Sequence, residues 1–267
     1  MIIECLRGNP ALCANKVPRD LLEDFGTLLN ACPDPSTSPL LAFFGLLCQP
    51  GGADQALDLN QVHVADVLLA PRLATLKACF DVALGAVDAS DAEVPCAAPE
   101  KLVELVAQML ALKNVRTATM LQNAGYTMDL LLMATFKRVQ ALGLLASSSP
   151  HPAQKGTSLD GLASEPPPPC PGGMLGDPLC KSLTKVLCLT MQALVIDPRI
   201  FRKDAIWQLT CVAGKEMLQA FVAKKGWGSQ DDDFYAAFGM LGIIKLLLMG
   251  AKALVQKGSP RAWANTL

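Results

Sequence analysis

The sequence is short of the residues from which active sites and metal centres are assembled. Its two histidines, His63 and His151, stand far apart, and no Cys-x-x-Cys pair occurs among its ten cysteines. A zinc site would need ligands converging from distant helices, so no metal is expected. The Gly-x-Ser-x-Gly elbow, the Walker A loop, Gly-x-Gly-x-x-Gly and His-Glu-x-x-His are all missing. Nucleophilic triad chemistry lacks its usual base, and the chain is expected to be no enzyme and to hold no cofactor. Aromatics make up 5% of the residues and charged side chains 18%, and strictly alternating Val/Ile/Thr runs are absent, which removes the sheet signal and leaves helix. A net charge of -1 offers no basic field to a phosphate backbone, so no direct nucleic-acid binding is expected.

Apolar residues are abundant instead: 51% of 267 residues, with Leu and Ala dominant, enough for a sizeable core. The most apolar stretch runs from Asp231 to Lys257. Asp231, Asp232 and Asp233 suit the positive end of a helix, Lys252 and Lys257 the negative end, and Gly258 with Pro260 supplies a stop. A solvated helix start accounts for the acidic run, since no further ligands lie at calcium-loop spacing. Phe234 to Val255 is long enough to cross a bilayer, which needs about 20 apolar residues. Lys245 near its middle would cost about 2.5–3.5 kcal/mol there, so the reading is a buried core helix and no membrane is expected as a partner. Glu4 and Arg7 interrupt the opening residues where a secretory segment would be apolar, and free thiols on apolar helix faces at Cys79, Cys180, Cys188 and Cys211 suit a reducing compartment. The expected location is cytoplasmic or nuclear.

In chain order, residues 1–146 read as a first helical block. A loop is expected around Asn9-Pro10, then a helix opened by Pro18 with Leu21, Phe25, Leu28 and Leu29 on one face. Ser38-Pro39 restarts a helix over Leu40 to Cys48, apolar all round. Further helices are expected over Gln61–Leu69, Arg72–Val87, from Pro99 through EKLVELVAQMLAL, over Thr117–Gln122 and over Thr127–Leu145. Residues 147–176, rich in Ser, Pro and Gly, read as a disordered linker or long loop. Residues 177–258 form a second block: Asp177-Pro178 opens a helix with Lys181, Ser182 and Lys185 on its polar side, and Asp197-Pro198 repeats the device. Ile206, Leu209, Ala213, Met217 and Phe221 mark that next helix, which ends near Lys224-Lys225-Gly226; residues 259–267 are a C-terminal tail.

Helices of this length joined by Pro/Gly loops predict an all-α fold, a helical-hairpin array with a disordered Pro/Ser/Gly-rich insert. Asn114-Val115-Arg116-Thr117-Ala118 resembles the Val-Arg-x-x-Ala signature of HEAT repeats, one residue short before the alanine, and the helix-pair spacing is similar to HEAT and armadillo repeats. In texture the chain resembles the meiotic armadillo-type scaffolds of the meiosis inhibitor kind. The resemblance implies a HEAT/armadillo-like α-solenoid and a non-enzymatic protein–protein interaction scaffold, a meiotic recombination factor whose partners are helix or peptide segments of other proteins. Candidate partner-binding anchors are Trp227, Trp263 and Tyr126, aromatics in or near loops. Two alternatives remain open at this point: a membrane-associated helical protein using Phe234–Val255, and a compact helical small-ligand binder.

Overall fold

The computed structural model describes residues 9–51, 56–142 and 176–194, together with Ile3, Leu6 and Arg7. Among the described residues there are helices and 3-10 turns and no strand. The protein is all-helical there, as the alternation-free composition predicts. The helices are α1 Pro10–Lys16, α2 Arg19–Asn30, α3 Leu40–Cys48, α4 Asp58–Leu68, α5 Ala74–Ala83, α6 Pro99–Met109, α7 Val115–Asn123, α8 Met128–Ala141 and α9 Pro178–Ala193. The linker up to residue 175, the helix expected from Pro198, and the stretch Asp231–Lys257 lie outside the described residues. None of the described helices is long and apolar enough to cross a membrane.

Local chemistry accounts for most helix starts. Asn114, Thr127 and Asp177 each accept a hydrogen bond from a backbone N–H of the first turn they precede, and proline stands in the first turn of α6 and α9. The same device opens α1, where Asn9 accepts from the Leu12 N–H and Pro10 is the first helical residue. The loop expected at Asn9-Pro10 is therefore a helix start. In α2 the expected face is rotated: Leu22, Gly26 and Leu29 are buried, while Leu21 and Leu28 are exposed. Gly26 explains the rotation. A Cβ there would stand 2.7 Å from Val67 Cγ1, so α2 packs on α4 through the one position that periodicity counts as neutral.

The core is organised by α6. Leu102, Val103, Leu105, Val106, Ala107 and Met109 are all buried, and α3, α4, α5 and α9 each pack against it. A regular order runs through these contacts. Packing joins α2 to α5, α3 to α6, α4 to α7 and α6 to α9, in each case a helix with the third one after it. Side chains extend the series. The Asn60 amide of α4 donates to the Cys13 carbonyl of α1, and Gly85, just past α5, lies under Ala134 of α8. Because α9 packs on both α6 and α8, this helix from beyond the Pro-rich segment is seated on the first block.

Buried amides fix the height of one layer against the next. Gln61 of α4 donates to the carbonyls of Gln108 (2.9 Å) and Ala111 (3.1 Å). Asn114 donates to Gln61 Oε1 (2.7 Å) and to the Asp58 carbonyl while capping α7. Asn30 of α2 accepts from the Leu76 N–H at the start of α5. Replacing Asn114 by Ala removes a cap and strands the buried Gln61 Oε1, so Asn114→Ala should destabilise by about 2–4 kcal/mol in urea unfolding. Gly85 has φ +76, and a Cβ there would lie 2.5 Å from Ala134 Cβ and 3.2 Å from its Cα. Gly85→Ala should therefore cost about 2–4 kcal/mol, combining left-handed strain with overpacking, whereas Gly125→Ala, equally left-handed but in open space, should cost about 1–2 kcal/mol.

Candidate functional site

Three helices related by the three-step order, α3, α6 and α9, leave a groove of about 800 Å³ between them. A carboxylate and a hydroxyl from the turn ahead of α3 hold it to the start of α6. Asp34 accepts from Ser36 N–H (3.0 Å) and, through its second oxygen, from Ala97 N–H (3.1 Å); Ser36 Oγ accepts from Ala98 N–H (2.9 Å). The turn that begins α3 is thus tied to the residues that begin α6. Farther along, Gly45 of α3 lets Gln108 of α6 lie across it: a Cβ on Gly45 would stand 2.2 Å from Gln108 Oε1.

Asp177 places α9. It accepts from Cys180 N–H at 2.8 Å as the helix cap, and both of its oxygens meet the guanidinium of Arg138 on α8, at 2.9 and 2.5 Å. Burial alone would raise its pKa; the Arg138 fork and the Cys180 N–H outweigh that and hold the carboxyl below its usual range. In the middle of the groove Lys185 of α9 meets Glu104 of α6 at 2.8 Å.

The resulting surface has an apolar floor of Leu41, Ala42 and Leu105. Its α6 wall carries Glu100, Lys101, Glu104 and Gln108, and its α9 wall carries Lys181, Ser182 and Lys185. Carboxylates, ammonium groups, an amide and hydroxyls over an apolar floor are the make-up of a surface that orients a bound segment by polar contacts and buries its side chains. Cys13, Cys32, Cys48, Cys79 and Cys96 are in no disulfide, and burial pushes Cys79 up to about 12 and Cys48 higher still, so neither of these two supplies a thiolate near neutral pH. Among the described residues, no three His, Cys, Asp or Glu side chains gather as metal ligands would.

Of the candidate anchors, Tyr126 is corrected by the structure. It is 3% exposed, its ring lies in the core, and its hydroxyl donates to Asp81 Oδ1 at 3.0 Å. Burial and the Asp81 carboxylate push its pKa up, and no face of it is offered to a partner. Its loop position suggested exposure, but the side chain turns inward to reach Asp81 of α5. Trp227 and Trp263 lie outside the described residues. Sequence reasoning did not find the groove, although two of its signals are visible: Glu100 with Glu104 and Lys181 with Lys185, each pair four residues apart on the polar face of a helix.

Compared with family models, with curated proteins and with solved structures, the chain matches none.

The position of α9 should respond to acid. A carboxyl held below its unfolded value contributes stability that is present above the unfolded pKa, about 3.9, and is lost as pH falls through the lower folded one. Asp177→Asn should therefore lower the unfolding midpoint at pH 7, and the gap between variant and parent should close as the pH is taken below about 4. Denaturation followed by circular dichroism from pH 7 to pH 2.5 checks this.

Proposed function

We propose that the chain is a non-enzymatic protein-interaction scaffold whose groove between α3, α6 and α9 takes a helix or extended peptide segment of a partner protein. The observation that carries the reading is the groove itself: three helices from successive layers aligned side by side, with charges of both signs above an apolar floor. The packing of α2, α3, α4 and α6 each on the third helix after it supports an armadillo-like arrangement of three-helix units, α1–α3, α4–α6 and α7–α9, in which α3, α6 and α9 are the equivalent third helices. Support for a place among meiotic recombination factors, beside the armadillo-type scaffold known as meiosis inhibitor protein 1, is the likeness of sequence texture alone. Cys13, Cys32, Cys48, Cys79 and Cys96, none of them in a disulfide, agree with a reducing location, cytoplasmic or nuclear.

A second reading has one observation in its favour. A volume of about 800 Å³ also falls within the range of about 300–1,000 Å³ typical of small-molecule sites. The two readings separate on what binds. A peptide library displayed against the full chain should yield binders, and Ala42→Arg, which fills the floor from an exposed position, should weaken them about tenfold or more, or about 1.4 kcal/mol. Leu28→Arg, on the exposed flank of α2, should leave them unchanged. Peptides that bind the Ala42→Arg chain as tightly as the parent would overturn the proposal, and a thermal shift from metabolites with no peptide selected would favour the small-molecule reading.

A further inference from the structure

Among the described residues, three of the four most exposed large aliphatic side chains lie at one edge; the fourth, Leu28, is on α2. Leu59 is 67% exposed, Leu112 57% and Val115 54%. They are neighbours in space, because Asn114 donates to the Asp58 carbonyl at 3.2 Å and Gln61 to the Ala111 carbonyl at 3.1 Å. The backbone is unusual at the same place. Leu112 has φ 56 and Lys113 φ 64, a left-handed pair in residues that rarely adopt it. The left-handed pair and the exposed Leu112 coincide, so the edge combines an apolar surface with a backbone held in a costly shape.

The path of the chain says what can reach this edge. α9 packs on the turn Ala111–Lys113 and on α7, and the described chain leaves its end at Leu194. Asp197, the cap that the sequence places on the next helix, is three residues on, within about 11 Å of Leu194 at full extension. Among the described residues the three-step packing order runs as far as α9: α4 receives α7, α6 receives α9, and a further step of the same order would lay the next helix on α7. That successor carries Ile206, Leu209, Ala213, Met217 and Phe221 at helical spacing.

We propose that Leu59, Leu112 and Val115 form a docking edge for this chain's own next helix, the Pro198–Lys225 segment, laid against α7 by its Ile206–Phe221 face. The left-handed turn holds Leu112 in position for that helix, and the edge extends the three-step order by one more layer. The proposal depends on the packing order and on chain connectivity; it does not require that the groove bind a peptide, and its readout is separate from peptide binding.

A photo-reactive benzoylphenylalanine placed in the full chain at Leu112, and separately at Val115, tests it, since both positions are solvent-exposed and tolerate a bulky side chain. After illumination, mass spectrometry should recover intrachain cross-links from both positions to peptides within residues 198–225, and the same probe at Leu28 should give none to that segment. Covalent dimers from Leu112 would assign the edge to a second copy of the chain and overturn the proposal. Cross-links to any other segment, or none at either position in a chain whose helicity is unchanged, would overturn it too.

Discussion

Burial of α6 is the constraint on which the other helices depend. Its Leu102, Val103, Val106 and Met109 are wholly enclosed, and an aliphatic side chain of that size contributes about 1.5–3 kcal/mol when fully removed from water. α3, α4, α5 and α9 supply that cover, so the same apolar helix sets where four others sit. Its remaining polar stripe, Glu100, Lys101, Glu104 and Gln108, has one direction left to face, and that direction is the groove. Core and candidate site are two sides of one helix. A change that moves α6 alters both.

Apolar packing tolerates sliding, and the polar ties prevent it. Asp34 and Ser36 lock the start of α3 to the start of α6, Asn30 reaches α5, Asn60 reaches α1, and Gln61 with Asn114 joins α4 to α7. These groups lie near helix ends and turns, where they bond backbone groups such as the Ala97, Ala98 and Leu76 N–H or, for Gln61 and Asn114, each other. Leaving such a group unpaired costs more than the bond itself contributes, so these bonds select one register among several that the leucines alone would accept. Asp177 does the same for α9, joining a helix cap to an ion pair with the preceding helix.

What the sequence made legible follows the same division. Helices with proline at the start and a broad apolar face, α3, α6 and α9, were readable in type and nearly in extent, because steric and capping rules act within a few residues. Helix ends were less so: the segment expected to run to Val87 ends at Ala83, where Gly85 takes a left-handed conformation against α8. The α2 face was misjudged because glycine carries no hydrophobic signal, although Gly26 is where α2 meets α4 most closely. The groove was least legible. Its walls come from residues 37–42, 100–108 and 176–185, and the polar pairs on α6 and α9 read as ordinary solvated faces until packing sets them opposite one another.

A groove shared by three layers requires that α9, which follows the Pro-rich segment, be held by the first block as firmly as the block holds itself. A protease site inserted within residues 147–170 of the full chain allows this to be measured directly. After cleavage the two fragments should remain together on a sizing column and unfold in a single transition, because α9 is seated on α6 and α8 by buried side chains and the Arg138–Asp177 pair. Fragments that separate after cleavage, or that unfold in two independent steps, would contradict the account.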